Sequence, residues 1–161
     1  MKSRMVIFSL AALCVLLTGC GPLGERTLTG SGMDMFAPVA MRIHPLTRVV
    51  ADDAKENVEI HIELKDQFGD VGKGVGTISL DLYAYALLGL GNRGERLASW
   101  SGDISTPPLN KQYWDPITRT YVFRFRADPV MLRARSKWVL SAAMTFPNHT
   151  ELKDEFTLET K

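Results

Sequence analysis

Val58-Glu59-Ile60-His61-Ile62-Glu63-Leu64-Lys65 alternates aliphatic and polar residues without a break. Successive side chains of a strand point to opposite faces. This stretch therefore predicts Val58, Ile60, Ile62 and Leu64 on a buried face, with Glu59, His61 and Glu63 on a wet one. The same period of two returns at residues 78–83, 121–126 and 138–146, and more loosely at 152–158. Residues 39–43, 48–50 and 97–100 extend the set to seven or eight strands, and nowhere do ten residues hold a helical period. Short amphipathic strands without helices predict an all-β fold: an antiparallel two-sheet β-sandwich, or a closed barrel, rather than any α/β plan.

Turn chemistry punctuates these runs. Asp66-Gln67-Phe68-Gly69-Asp70 follows the first run directly, while Pro107-Pro108, Asp115-Pro116 and Pro147-Asn148 each remove a backbone donor or favour a bend. Residues 59–70 with Gly74-Val75-Gly76-Thr77-Ile78 resemble the strand, Asp-x-x-Gly turn and following strand of bacterial immunoglobulin-like and transthyretin-like sandwiches. Such sandwiches mostly serve as binding or spacer modules, which is what the resemblance implies here.

Outward from the strands, the N-terminus carries a different signal. Lys2 and Arg4 precede a short apolar run that closes on Leu17-Thr18-Gly19-Cys20. Residues 5–17 are too few to span a bilayer, which needs about 20 apolar residues, so the segment is expected to be a cleaved signal. Leu17, Thr18, Gly19 and Cys20 resemble the bacterial lipobox at all four positions. The resemblance implies that residues 1–19 are a lipoprotein signal peptide and that Cys20 becomes a lipidated N-terminus. A thioether-linked diacylglycerol and an amide-linked third chain would hold far more firmly than one myristoyl chain. Gly21 occupies the position where an Asp retains enteric lipoproteins in the inner membrane, so the resemblance further implies an outer-membrane anchor facing the periplasm. Residues 20–37, with their Gly and Pro and no apolar period, are expected to form a flexible tether reaching at most about 55 to 60 Å. Residues 38–161 form the predicted sandwich domain.

Composition narrows the function. The chain has 161 residues, with 19 Lys and Arg against 18 Asp and Glu. Loss of Lys2 and Arg4 with the signal leaves a slight acidic excess, with no footprint of a nucleic-acid partner. Cys14 leaves with the signal and Cys20 is spent on lipid, so a disulfide, a thiolate metal site and a cysteine nucleophile are all absent from the expected domain.

No catalytic set emerges from spacing. His44, His61 and His149 lie near no nucleophile elbow, and His61, between Glu59 and Glu63, reads as an exposed strand histidine. Gly89-Leu90-Gly91-Asn92-Arg93-Gly94 matches a dinucleotide-loop pattern, but the β-like Ala98-Ser99-Trp100-Ser101 that follows argues for a plain connection between strands. Asp52, Asp53, Glu56, Asp66, Asp70 and Asp81 match no calcium loop, so neither a metal nor another cofactor beyond the covalent lipid is expected.

Three features could contact a partner. Tyr113 and Trp114 place two rings at a turn, either plugging the sandwich or gripping a glycan, a small ligand or a protein. Leu87 and Leu88 make an aliphatic tip that is expected to fold back over the sandwich end, or, if exposed, to meet a partner or lipid. Arg124 and Arg126, in a locally basic stretch, are expected to pair with acids such as Glu59 and Glu63, or to attract anionic lipid head groups or an acidic partner. The sequence reading is thus a lipid-anchored, non-catalytic envelope module that binds a protein partner. A glycan- or small-ligand-binding lipoprotein is the alternative.

Overall fold

The computed structural model describes residues 34–52, 55–88 and 90–159. The lipobox residues Leu17, Thr18, Gly19 and Cys20, and most of the expected tether, lie outside them. Ten strands form two antiparallel sheets, β1 (Ala40–Ile43), β2 (Arg48–Asp52), β3 (Lys55–Lys65), β4 (Val71–Gly72), β5 (Thr77–Tyr85), β6 (Arg93–Asp103), β7 (Trp114–Asp115), β8 (Thr120–Arg126), β9 (Lys137–Thr145) and β10 (Glu151–Glu159). The fold is an all-β two-sheet sandwich. One sheet centres on β3, with β1 and β2 along one edge and β8, then β7, on the other, while β4 pairs with the end of β3. The second sheet runs β10-β9-β5-β6.

Alternation builds the core. Val58, Ile60, Ile62 and Leu64 of β3 are fully buried against Ile78, Leu80 and Leu82 of β5 and Trp138, Leu140, Ala142 and Met144 of β9. Tyr121 and Phe123 of β8 fill the same layer. Each such side chain contributes about 1.5 to 3 kcal/mol by leaving water, which suits a domain without a disulfide.

Two strands more than the sequence suggested, β4 and β7, are two-residue pairings too short to show a period. Among the described residues two short α-helices also appear, beside 3-10 turns at Asp34–Phe36 and Leu90–Asn92. Pro107-Pro108, read as a stop, instead opens α1 (Pro107–Tyr113), because proline's fixed φ and missing N–H suit a first helical turn. Asp128 caps α2 (Pro129–Arg133) by accepting a hydrogen bond from the Val130 N–H, and Leu132 drops into the core. The Gly-rich connection after β5 carries a three-residue 3-10 turn, Leu90–Asn92, and leads into strand β6 where a dinucleotide loop would lead into an α-helix.

The two sides of the sandwich differ. On one, residues 44–47 between β1 and β2 oppose only Ile60 and His61, since Ile43 faces Ile62 and Arg48 faces Glu59. Thr47 Oγ1 takes the place of a missing backbone acceptor, receiving the His61 N–H at 3.0 Å. The outward N–H of Ile43 is met at 2.7 Å by Asp154 Oδ2 from β10, which ties the two sheets along this side. On the other side β6 pairs with β5 alone among the described residues.

Candidate functional site

Where β4 passes to β5 and β6 passes to α1, the chain leaves an open cleft of about 720 Å³. Its walls come from Gly74 and Val75, from Ile104 to Pro107, and from Asn110, Trp114 and Pro116, with Lys73 and Lys111 at the rim. The lining is chiefly apolar with a few polar groups, the usual character of a recognition cleft.

Hydrogen bonds hold the walls together. Tyr121 Oη, from the buried end of β8, accepts the Gly74 N–H at 3.0 Å and lies 3.0 Å from the Gly74 carbonyl. Asn110 Nδ2 donates to the carbonyls of Gly74 at 2.6 Å and Ile104 at 3.2 Å, and its Oδ1 lies 3.1 Å from Tyr121 Oη. Burial raises the Tyr121 pKa, partly opposed by its bonds to Gly74 and Asn110, so the hydroxyl keeps its proton. A Cβ on Gly74 would come within 2.7 Å of Leu64 Cδ1, so a larger residue here would have to displace that buried side chain where the loop presses on the core.

Tyr113 and Trp114 part company at the end of α1. Tyr113 packs its ring 4.7 Å from Phe123 and serves as a plug. Trp114 turns extended, meets Tyr121 edge-on at 5.1 Å and lines the cleft, with Lys73 Nζ 5.1 Å from its ring centroid. Of the two aromatic candidates, only Trp114 faces the open space.

The outer face of β3 corrects one expectation. His61 is not exposed, and Glu59, His61 and Glu63 are 8%, 6% and 7% accessible. Arginine stems from the flanking strands lie over them: Arg42 Nη2 is 3.1 Å from Glu63 Oε1, Arg48 Nη2 is 3.1 Å from Glu59 Oε1, and Arg124 Nε is 2.7 Å from Glu59 Oε2. Arg124 thus takes the expected cross-strand pairing, whereas Arg126 is exposed opposite Asn57. Burial pushes the Glu59 pKa up, but hydrogen bonds from Arg124 and His61 and the charges of Arg124 and Arg48 outweigh it and hold the carboxyl below its ordinary value.

A polar chain continues across this face. His61 Nε2 is 3.4 Å from Glu59 Oε1, and His61 Nδ1 is 3.0 Å from Thr120 Oγ1. Thr120 Oγ1 is in turn 2.8 Å from Thr118 Oγ1, which donates to Asp115 Oδ2 at 2.9 Å. Acid, imidazole and hydroxyl stand in the order of a hydrolase triad, but Thr120 is fully buried and no electrophile could reach its oxygen. The arrangement locks β7 and β8 onto β3.

Leu87 and Leu88 correct a second expectation. They do not fold back over the sandwich but stand 81% and 102% exposed at the tip between β5 and β6. This tip is at the far end of β5 from the cleft. The sequence reading missed Lys73, Gly74, Asn110, Lys111 and Tyr121, whose roles arise only when distant loops meet.

No protein-family model matches the chain, and no curated protein matches it. Among solved structures, the crystal structure of wild-type OgpA from Akkermansia muciniphila is similar with a TM-score of 0.41 and 10% identity. The match covers 76% of this chain and 29% of that one, so the chain spans less than a third of that neighbour's length.

Proposed function

We propose that this protein is a lipid-anchored envelope lipoprotein whose sandwich acts as a non-catalytic, protein-binding scaffold module, with the Trp114 cleft as its binding element. The carrying observation is a half-buried tryptophan lining an open, mainly apolar cleft whose walls are tied by Tyr121 and Asn110. A preformed aromatic pocket accepts a partner's side chain at little ordering cost, which is how a few interface residues come to dominate affinity. Anchoring at Cys20 in the outer membrane, facing the periplasm, would raise the effective concentration of the module for other membrane components. The inaccessible Thr120 hydroxyl supports the non-catalytic reading.

A glycan or small ligand is the second reading, favoured by the Trp114 ring with Ser105, Thr106 and Asn110 beside it. Lys73 over the ring competes with a stacked sugar, which supports the protein-segment reading over the glycan one. The deciding experiment uses the full chain in detergent, wild type and Trp114→Ala, against separate envelope-protein and peptidoglycan fractions. Retention of a protein that the variant loses while still folded supports the proposal. Tryptophan-dependent retention on peptidoglycan alone overturns it in favour of the second reading. A mass spectrum of Cys20 without added lipid removes the anchor.

A further inference from the structure

We propose that the free edge of β6 takes up an extended segment of the partner protein as an added strand, leading one end of that segment into the Trp114 cleft. This rests on the binding role just assigned to the cleft and names the form of its occupant.

The phase of β6 is set where it ends. The Ile104 N–H donates to the Gly76 carbonyl at 3.0 Å, so Gly102 and Trp100 turn their backbone groups toward β5. Ser99, Ser101 and Asp103 therefore direct their N–H and C=O groups away from the sheet. Among the described residues no other strand pairs with them. Exposed edges are usually blunted by charge, proline or a covering element. The opposite side is blunted in this way, by Asp154 on the Ile43 N–H. Along Leu97-Ala98-Ser99-Trp100-Ser101-Gly102 there is neither a charge nor a proline, and the one charge of the template, Asp103 at its end, accepts the Ser105 N–H on Oδ1. Trp100 stacks on Phe125 at 5.3 Å and keeps this stretch seated against the core, so the edge is presented as a fixed template.

Continuity with the cleft selects the occupant. Ile104, Ser105 and Thr106 follow β6 directly and line the cleft, so a strand laid along residues 99–103 ends beside the cleft that Trp114 lines. Main-chain bonds to the edge would supply affinity and the cleft would supply selectivity, the division of labour seen in strand addition. Lys73 and Lys111 at the rim suit an acidic residue beside the apolar side chain that enters. The occupant is therefore an extended partner segment carrying an apolar anchor next to Asp or Glu, added antiparallel as every pairing in this sheet is.

The test selects ten-residue peptides from a phage-displayed random library on the full-length chain in detergent. The winners are then measured against Ser101→Pro, Ser101→Ala and Trp114→Ala. Proline at 101 deletes an edge N–H while leaving the β5 ladder intact, and alanine keeps that N–H. The expected result is at least a tenfold loss of affinity with Ser101→Pro and with Trp114→Ala, none with Ser101→Ala, and slowed hydrogen exchange at Ser99, Ser101 and Asp103 on binding. Circular dichroism melting of Ser101→Pro at the wild-type temperature certifies its fold. If Ser101→Pro unfolds, the exchange pattern on the wild-type chain decides alone. Loss with Trp114→Ala but not with Ser101→Pro overturns strand addition and leaves the cleft reading standing, whereas indifference to both overturns the two together. Self-association of the free chain that Ser101→Pro abolishes would make a second copy the occupant and overturn the proposal.

Discussion

Tyr121 Oη sits 3.0 Å from both the amide nitrogen and the carbonyl oxygen of Gly74, joining the centre of one sheet to the loop that crosses to the other. The contact is buried, so removing the hydroxyl leaves the Gly74 N–H without its partner and the Asn110 side chain less well held. Tyr121→Phe is expected to cost about 1 to 3 kcal/mol by leaving buried polar groups unsatisfied. Urea unfolding measures it, and a loss of only a few tenths would show that the loop is held by packing instead. The same variant is expected to weaken binding at the cleft even where the chain remains folded, because the walls lose their brace.

Glu59 makes a pH-dependent contribution whose sign follows from its partners. Its folded-state pKa lies below the unfolded value, so the stabilisation is present above the ordinary carboxylate range and fades as pH falls through the folded value. Both arginine heads are largely exposed, which screens the pairs and keeps the effect to about 1 to 2 kcal/mol. Glu59→Gln is expected to melt below wild type at pH 7, with the gap closing under acid conditions. A gap that widens on acidification would contradict the assignment.

The strands themselves were legible because alternation is a property of the chain: residues 58–65, 78–83 and 138–146 announce β3, β5 and β9 to within three residues at each end. Alternation says which side chains share a face, but not whether that face stays wet. His61 was misjudged for this reason, since the stems that cover it belong to Arg42, Arg48 and Arg124 on neighbouring strands. Pro107-Pro108 has two local meanings, and the helical one depends on the chain having room to turn after β6. Trp114 was visible as an aromatic at a bend. Its cleft was not, because Lys73 and Gly74 reach it from a loop far away in sequence.

Gly102 carries a steric expectation that no local motif announces. An added Cβ would overlap Phe123, reaching Cδ1 at 2.9 Å with Cε1 still nearer, and Phe123 is itself fully buried between Tyr113 and Phe125. With no room for the ring to retreat, Gly102→Ala is expected to destabilise by about 1 to 3 kcal/mol, the usual cost of overpacking. Equilibrium unfolding decides it. Stability equal to wild type would mean that β6 can shift outward along its free edge, which would also loosen the template proposed for the partner segment.

Thr120 offers a test that separates hydrogen bonding from volume. Its hydroxyl joins His61 Nδ1 and Thr118 Oγ1 within a fully buried site, and valine preserves the shape while removing both bonds. Thr120→Val is expected to cost about 1 to 3 kcal/mol through the stranded imidazole and hydroxyl. Thr120→Ser, which keeps the oxygen, should recover most of that loss. If serine proves no better than valine in urea unfolding, the missing methyl and not the polar chain is what matters.

Leu87 and Leu88 test whether exposure and function coincide. Nine residues of β5 separate their tip from the cleft loop, which at about 3.3 Å per residue places the two sites roughly 30 Å apart. A side chain already in water forfeits no burial when it becomes polar, so the double change Leu87→Ser with Leu88→Ser is expected to move stability by less than about 0.5 kcal/mol. Peptides selected at the Trp114 cleft should bind this variant as they bind wild type, because the tip lies at the opposite end of β5 from the cleft loop. A loss of cleft binding with intact folding would mean that one partner spans the whole length of the domain and grips both ends. Calorimetric titration of the same peptides on Trp114→Ala and on the leucine variant distinguishes the two cases, since a partner held at one end is sensitive only to the tryptophan.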